Sequence, residues 1–577
     1  MQVRQAASDS RRILRQAPCR LLALAAMAAA VSGPGFAAKL TDHEHTRIEE
    51  PRPTDVPSDE EMEAAGAVIG KIDIDVRNIF DERDSRENSG LFRIADHLHM
   101  RTKRGAIRAR LLFRSGDKYS ARNLAESERT LRLLNYVYDA HIVPVHYADG
   151  KVDVRVVTKD VWTLSPGISF GRAGGTNATS FRLQDTNFLG WGKSVQITRE
   201  TTVDRTSDTV AWSDPNVFGS RWISSAEYDH SSDGTSHSLQ VARPFYSLDA
   251  PWSVNLVGVQ FDRTVSRYNL GNIVDQFNDN QTSYELSGGL SGGLIDGWTK
   301  RLMFGVRYDR NAFVPTAMTS APARELPAGR TLSYPFVGFD IVEDRYKKAG
   351  DQNQIGRTED LFFGSEVSGS VGWSNGLFGA DRDALMLALS AVKGIELPAQ
   401  QQIFVTGNFS ARVEQGRARN LIADSGAKYY WRWREDCLLY AAVSATVTDS
   451  LDPELQLMLG GDNGLRGYPL RYESGTSRAL ITVEQRFFTD WYPFRLARVG
   501  AAVFADAGRT WGNGARQVDP PMLQAEPRML SDVGFGLRLG NTRTGLGNVL
   551  HVDFAFPLKN IAGIQRFQFL VQTFKSF

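Results

Sequence analysis

An arginine set among glycines stands at Arg466, in the run Gly460-Gly461-Asp462-Asn463-Gly464-Leu465-Arg466-Gly467-Tyr468. Further along, Asp506 lies in Phe504-Ala505-Asp506-Ala507-Gly508, and Glu484 stands between the two motifs in an alternating segment. The chemistry open to such a set is ion pairing, because a guanidinium is a planar fork that fits a carboxylate two bonds at a time. Gly464 and Gly467 suit a chain that turns sharply and passes close to a wall. Taken alone, each motif is also an ordinary hairpin or turn.

Bond-making chemistry finds less support. Gly289-Leu290-Ser291-Gly292-Gly293 fits the Gly-x-Ser-x-Gly pattern of hydrolases, but that pattern needs a strand-to-helix elbow and nothing helical follows. Gly192-Lys193-Ser194 ends like a phosphate loop, yet Asn187 stands where the loop requires glycine. His97 and His99 are a weak metal pair by themselves, and surface histidines are the plainer reading. Asp275, Asn278, Asp279 and Asn280 lack the turn glycine of a calcium loop. The reading is no catalytic residue, no metal and no cofactor. Arg101, Lys103, Arg104, Arg108, Arg110 and Arg114 form a basic run without an acid. It reads as a solvated helix face, or as a contact with acidic lipid or an incoming polypeptide.

The elements that position these residues begin with export. Arg4, Arg11, Arg12, Arg15 and Arg20 precede an apolar stretch from Leu21 to Val31, and Gly35-Phe36-Ala37-Ala38 offers small residues for cleavage. Residues 1–38 read as a secretory signal peptide. No later stretch approaches the length of an apolar transmembrane helix. Of the two cysteines, Cys19 lies in the leader and Cys437 is left alone, so no internal disulfide is expected. Residues 42–63 hold nine acidic residues, two arginines and three prolines. Residues 39–67 therefore read as an acidic disordered linker, in which a short helix from Ser58 to Ala65 is one option.

Residues 68–161 read as one small α+β unit in the order β-α-α-β-β. Ile69, Ile72, Ile74 and Val76 mark a first strand, and Ser120 caps a helix with Leu124, Ser127, Leu131 and Leu134 on one face. Two strands follow, joined across Ala148-Asp149-Gly150. From Trp162 onward, period-two segments recur between Gly, Asn, Asp and Pro. In 533–539, Val533, Phe535, Leu537 and Leu539 oppose Gly534, Gly536 and Arg538. In 550–556, Leu550, Val552, Phe554 and Phe556 oppose His551, Asp553 and Ala555. In 481–487, Ile481 and Val483 oppose Thr482, Glu484 and Arg486. A charged face opposite an apolar one is the pattern of a transmembrane barrel, whose average polarity stays high. The 23% charged residues, net charge of +1 and mean hydropathy of −0.30 fit it. The charge balance also excludes a nucleic-acid footprint, which needs a basic excess. At roughly 25 residues per strand and connection, residues 162–577 allow about 16 strands, an even count as in bacterial barrels. The fold class is thus mainly β, an about 16-stranded barrel behind one small α+β domain. The chain ends on Phe577, a terminal aromatic on an alternating strand and a typical C-terminal barrel signal.

Three motifs carry a family resemblance: 460–468, 504–508, and Asp185-Thr186-Asn187-Phe188-Leu189-Gly190-Trp191-Gly192. Together they resemble the superfamily of outer-membrane barrels that includes BamA, TamA and FhaC, the bacterial surface antigen family. The resemblance implies that the α+β unit is a single periplasmic POTRA domain. It also implies that the loop carrying Gly464, Arg466, Gly467 and Tyr468 folds back into the barrel, where Arg466 pairs with Asp506 and with Glu484. Strand alternation independently turns both carboxylates toward the lumen. The implied activity is translocation or insertion of polypeptides, with an unfolded client received by the POTRA domain. The implied partners are the outer-membrane bilayer, that client, and the barrel assembly machinery during biogenesis. The alternative is a passive pore or structural barrel without a client. Assembly factors of this kind carry more than one POTRA domain, so the client stays open.

Overall fold

The computed structural model describes residues 48, 50–80, 90–317, 319, 326–512, 529–543, 549–561 and 563–574. The signal-peptide reading of 1–38 and the terminal Phe577 lie outside them.

Ordered chain precedes residue 68. Ser58 caps α1 (Asp59–Ala64) in a reciprocal pairing with Glu61. Val56, Met62 and Ala67 are buried with the core of the unit that follows. That unit contains β1 (Val68–Arg77), α2 (Gly90–Leu98), α3 (Arg104–Arg108), α4 (Ala121–Arg132), β2 (Val137–Ala148) and β3 (Lys151–Asp160). Ser120 accepts a hydrogen bond from the Asn123 N–H, and Leu124, Ser127 and Leu131 form the buried face of α4. The sheet order is β1-β3-β2, with β1 parallel and β2 antiparallel to β3. Ile69, Ile74, Ile107, Leu131 and Val154 pack between sheet and helices. β2 is therefore an edge strand, consistent with Pro144 in its middle.

The rest of the chain closes on itself. The wall starts with β4 (Leu164–Ala173), β5 (Thr176–Phe188), β6 (Lys193–Thr201), β7 (Thr206–Asp214), β8 (Ile223–Ser231) and β9 (Gly234–Arg243). It continues through β10 (Trp252–Asn269), β11 (Asn272–Ile295), β12 (Trp298–Pro315) and β13 (Arg330–Glu343). A separate hairpin, β14 (Tyr346–Gly350) and β15 (Thr358–Phe362), pairs only with itself among the described residues. The wall resumes with β16 (Ser365–Ser374), β17 (Ala384–Leu397), β18 (Gln401–Glu414), β19 (Arg417–Arg434) and β20 (Cys437–Asp449). Next comes a long loop with its own two-stranded ladder, β21 (Leu457–Leu459) and β22 (Glu473–Gly475). Five strands complete the wall: β23 (Ser477–Phe488), β24 (Ala497–Trp511), β25 (Leu530–Asn541), β26 (Val549–Pro557) and β27 (Gln568–Phe574). β27 pairs back onto β4.

Among the described residues the barrel has 20 strands, not about 16. The sequence estimate assumed too much chain per strand. Gly174-Gly175, Leu270-Gly271, Asp296-Gly297 and Gln415-Gly416 are two-residue turns with positive φ at both positions, the tightest way to reverse a strand pair. Several early strands are also only nine or ten residues long.

Alternation divides the wall as lipid and lumen require. Ile481, Val483, Phe535, Leu537 and Phe556 are exposed, while Glu484, Arg486, Asp506, Arg538 and Asp553 are buried inside. The mouth beside the N-terminal unit is termed proximal, the other distal. Two segments enter the lumen from opposite mouths: 450–476 from the distal one and 344–364 from the proximal one.

Candidate functional site

The distal loop brings Arg466 to the wall formed by β23, β24 and β26. Its Nε and Nη2 donate to the two oxygens of Asp506 at 2.7 and 3.0 Å, and its Nη1 donates to Glu484 at 2.8 Å. The Phe504 ring lies under the guanidinium, 3.4 Å from ring centre to carbon. Gly464 has φ +119, and a Cβ there would stand 2.2 Å from Leu480. The Gly467 N–H donates to Asp532 at 3.0 Å, and a Cβ on it would stand 2.7 Å from that residue's Cβ. The Tyr468 hydroxyl donates to the Ser531 carbonyl at 3.0 Å. Gly464, Arg466, Gly467, Tyr468, Glu484 and Asp506 thus converge at one place.

The cluster is larger than its sequence motifs. Arg486 donates to Glu484 at 3.0 Å and stacks 3.9 Å from the Tyr440 ring centre. Arg538 pairs with Asp553, whose other oxygen lies 3.6 Å from Arg466. Asp532 sits directly across from Asp506 in the β24–β25 register. Three guanidiniums therefore face four carboxylates. The signal for the added members was present, since Arg486, Arg538 and Asp553 stand on the charged faces of alternating segments. What the sequence lacked was the register that brings them together. The arrangement suits anchoring; it offers no activated nucleophile beside a base.

The same loop is fastened across the distal mouth. Arg471 donates to both oxygens of Asp204, in the β6–β7 turn, at 2.6 and 2.5 Å, and Tyr268 donates to Asp204 at 2.7 Å. Arg412 holds Asp452 with two bonds of 2.8 and 2.9 Å, and Arg330 pairs with Glu454.

The motif at 185–192 joins the barrel to the N-terminal unit. Asn187 Nδ2 donates to the Thr102 hydroxyl at 2.8 Å, the Lys103 N–H donates to the Gly190 carbonyl at 2.9 Å, and Lys103 Nζ lies 4.0 Å from the Trp191 ring centre. One residue of the basic run is thus a structural contact. His99 is not a surface residue: its side chain is buried against Asp160 at 3.1 Å, while His97 is exposed. The residues 289–293 lie in β11, with Leu290 exposed on the outer face, and no elbow forms. Asp275 pairs with Arg267 at 3.2 Å and Asp279 accepts from Asn311 at 3.1 Å.

A closed antiparallel barrel with an apolar outer face and a charged interior defines an outer-membrane β-barrel. Residues 399–574 match the Omp85 superfamily domain. Among solved structures, the chain is similar to BamA from Haemophilus ducreyi lacking POTRA domains 1–3, at 15% identity over 88% of this chain and 85% of that one, with a TM-score of 0.37. It is also similar to CdiB from Escherichia coli, at 14% identity over 88% and 76%, with a TM-score of 0.44. For CdiB from Acinetobacter baumannii the identity is 11% over 96% of both chains, with a TM-score of 0.41. No curated protein sequence matches the chain.

Proposed function

We propose that this barrel translocates or inserts polypeptides across or into the outer membrane, and that the N-terminal unit is its periplasmic POTRA-type domain, receiving the unfolded client. The observation that carries this reading is the occupied lumen. A 20-stranded barrel has room for an aqueous path, yet segments of the chain itself enter from both mouths and are fastened inside. A passive pore gains nothing from such segments; a conduit for large clients needs them to stay sealed at rest. Polar cavities remain beside them. One of about 490 Å³ is lined by Glu285, Arg307, Asp309, Arg412 and Asp452. Another of about 900 Å³ is lined by Glu359, Thr406, Asp424 and Arg478. The match of residues 399–574 to the Omp85 superfamily domain supports the same general role.

Two routes are open to the client, the lumen and the wall seam. Among the described residues, β27 and β4 share one register pair, Val571 with Arg172, whereas β26 and β27 share seven. In this reading the Arg466 cluster locks the distal loop, residues 1–38 direct export, and the assembly machinery installs the barrel. The test is quantitative proteomics of the outer-membrane and secreted fractions of a deletion strain. Loss of one or a few polypeptides, restored by the wild-type gene but not by Arg466→Ala, is expected. An unchanged proteome together with reduced small-solute uptake would leave the passive pore as the better account.

A further inference from the structure

The hairpin 344–364 leaves the wall between β13 and β16 and crosses the proximal mouth. Its tip residue, Ile355, is buried among Tyr430, Leu438, Phe488, Ala502 and Val549. Four of these stand on β19, β20, β23 and β26 at or near the proximal ends of those strands. Tyr430 donates to Asn353 at 2.9 Å, and Arg432 donates to the Asp351 carbonyl. Arg486 donates to the Gln352 carbonyl at 3.3 Å while also holding Glu484 of the Arg466 cluster. A Cβ on Gly356 would stand 2.9 Å from Arg498, so the tip passes close against β24. The hairpin thus spans the lumen from one wall to the other.

From below, the N-terminal unit holds it by the free edge of β2. Arg357 donates to the Val137 carbonyl at 3.0 Å, and Tyr138 donates to the Gly356 carbonyl. Arg132 donates to the Ala140 carbonyl at 2.9 Å and, through Nε and Nη2, to both oxygens of Asp360 at 2.7 and 2.6 Å. Glu128 accepts from the Ile142 N–H at 2.9 Å and pairs with Lys348 of the hairpin. The Val137 and Ala140 carbonyls and the Ile142 N–H, groups that a sheet edge offers to another strand, are here satisfied by side chains that are, or directly hold, the hairpin, while the Ala140 N–H donates to Asp139.

We propose that hairpin 344–364 is a plug closing the proximal mouth, that the edge of β2 keeps it shut, and that an extended polypeptide pairing with that edge releases it. The release step rests on the polypeptide reading above; the plug does not. A strand added along the first half of β2 needs the Val137 and Ala140 carbonyls and the Ile142 N–H. Taking them displaces Arg357 and frees Arg132 and Glu128 from the arrangement that grips Asp360 and Lys348. Edge occupancy and plug retention then exclude one another.

The test uses the full-length protein in planar bilayers, in potassium chloride, with heat-modifiable mobility on gels as the folding control. Wild type is expected to be mostly closed. Asp360→Asn and Arg357→Ala should each raise the open fraction at least roughly tenfold, and replacing 350–357 by a glycine-serine linker should give a permanently open pore. A lysine-flanked peptide of alternating valine and threonine, added on the proximal side, should open wild type and leave the linker variant unchanged. Wild-type conductance equal to that of the linker variant would overturn the plug. Peptide without effect on a closed wild type would overturn edge-driven release. Because salt current involves no client, these outcomes are independent of the proteomic test.

Discussion

The two segments that fill this barrel are held by different physics. The distal loop is fixed by the wall itself: Arg466 is surrounded by carboxylates and guanidiniums from β23 to β26, all supplied by neighbouring strands. The proximal hairpin is fixed by an apolar tip and by side chains of a separate small unit. Buried ion clusters are costly to open, because breaking one leaves charges without partners in a dry site. The proximal hairpin also has ion pairs, Arg132 with Asp360 and Glu128 with Lys348, but they run to a separate unit rather than to the wall, and its hydrogen bonds at a sheet edge can be exchanged for those of another chain. The distal segment is built to stay and the proximal one to let go.

The strongest way to break this contrast is Arg466→Ala. It strands Glu484 and Asp506 beside each other, leaving Glu484 to Arg486. A loss of about 3–5 kcal/mol in the anchoring of 450–476 is expected, read as lost hydrogen-exchange protection in that loop. Arg466→Lys should recover only part, since an ammonium cannot make the two-bond contact with Asp506. If the loop stays protected in the alanine variant, the ion cluster is not what holds it.

Ile355→Ala tests the other side. Removing the tip from its apolar site should cost the hairpin about 2–3 kcal/mol and expose 344–364 to exchange and proteolysis. Residues 450–476 should keep their protection, because Arg466 does not touch the hairpin. Equal loosening of both segments would mean that Arg486, which bonds both Glu484 and the Gln352 carbonyl, couples them tightly. Gly467→Ala is a milder perturbation of the distal site. Its Cβ would press on Asp532 and disturb the N–H bond there, at an expected cost of about 1–3 kcal/mol. A neutral result would show that β25 yields to the loop.

The contrast also explains what the sequence disclosed. Arg466 and Asp506 stand in compact motifs, and alternation turns Glu484 inward, so the heart of the distal site was legible. Arg538 and Asp553 were visible only as charged residues opposite apolar ones, because their meeting depends on strand register across β25 and β26. The hairpin was not legible at all. Residues 344–364 are polar and glycine-containing, and nothing local separates a turn standing in solvent from one folded into a lumen. The information lies in distant partners such as Tyr430, Phe488 and Arg132. Strand number failed for a related reason: two-residue turns and nine-residue strands leave the period unchanged while packing more strands into the same length.

The smallest expected effect concerns pH at the grip on the hairpin. His141 Nδ1 lies 3.3 Å from Glu128, and the hydrogen bond with Glu128 raises the histidine pKa above its ordinary value against the opposing effect of burial. Burial alone would raise Glu128, but the bond from His141 and the nearby Arg132 and Lys348 outweigh it and hold that carboxyl well below the usual range. Glu128 therefore stays charged across the neutral range and His141 is the group that titrates. With the folded pKa above the unfolded one, the contribution is complete below about pH 6.5 and fades as pH rises through the raised value. Lys348 and Arg132 share Glu128, so the grip weakens without failing. Hydrogen exchange in 137–142 and 344–364, corrected for intrinsic rates, should accelerate modestly over that interval, and His141→Gln should remove the dependence. Acceleration on acidification instead would mean that His141 does not set the pH response of the grip.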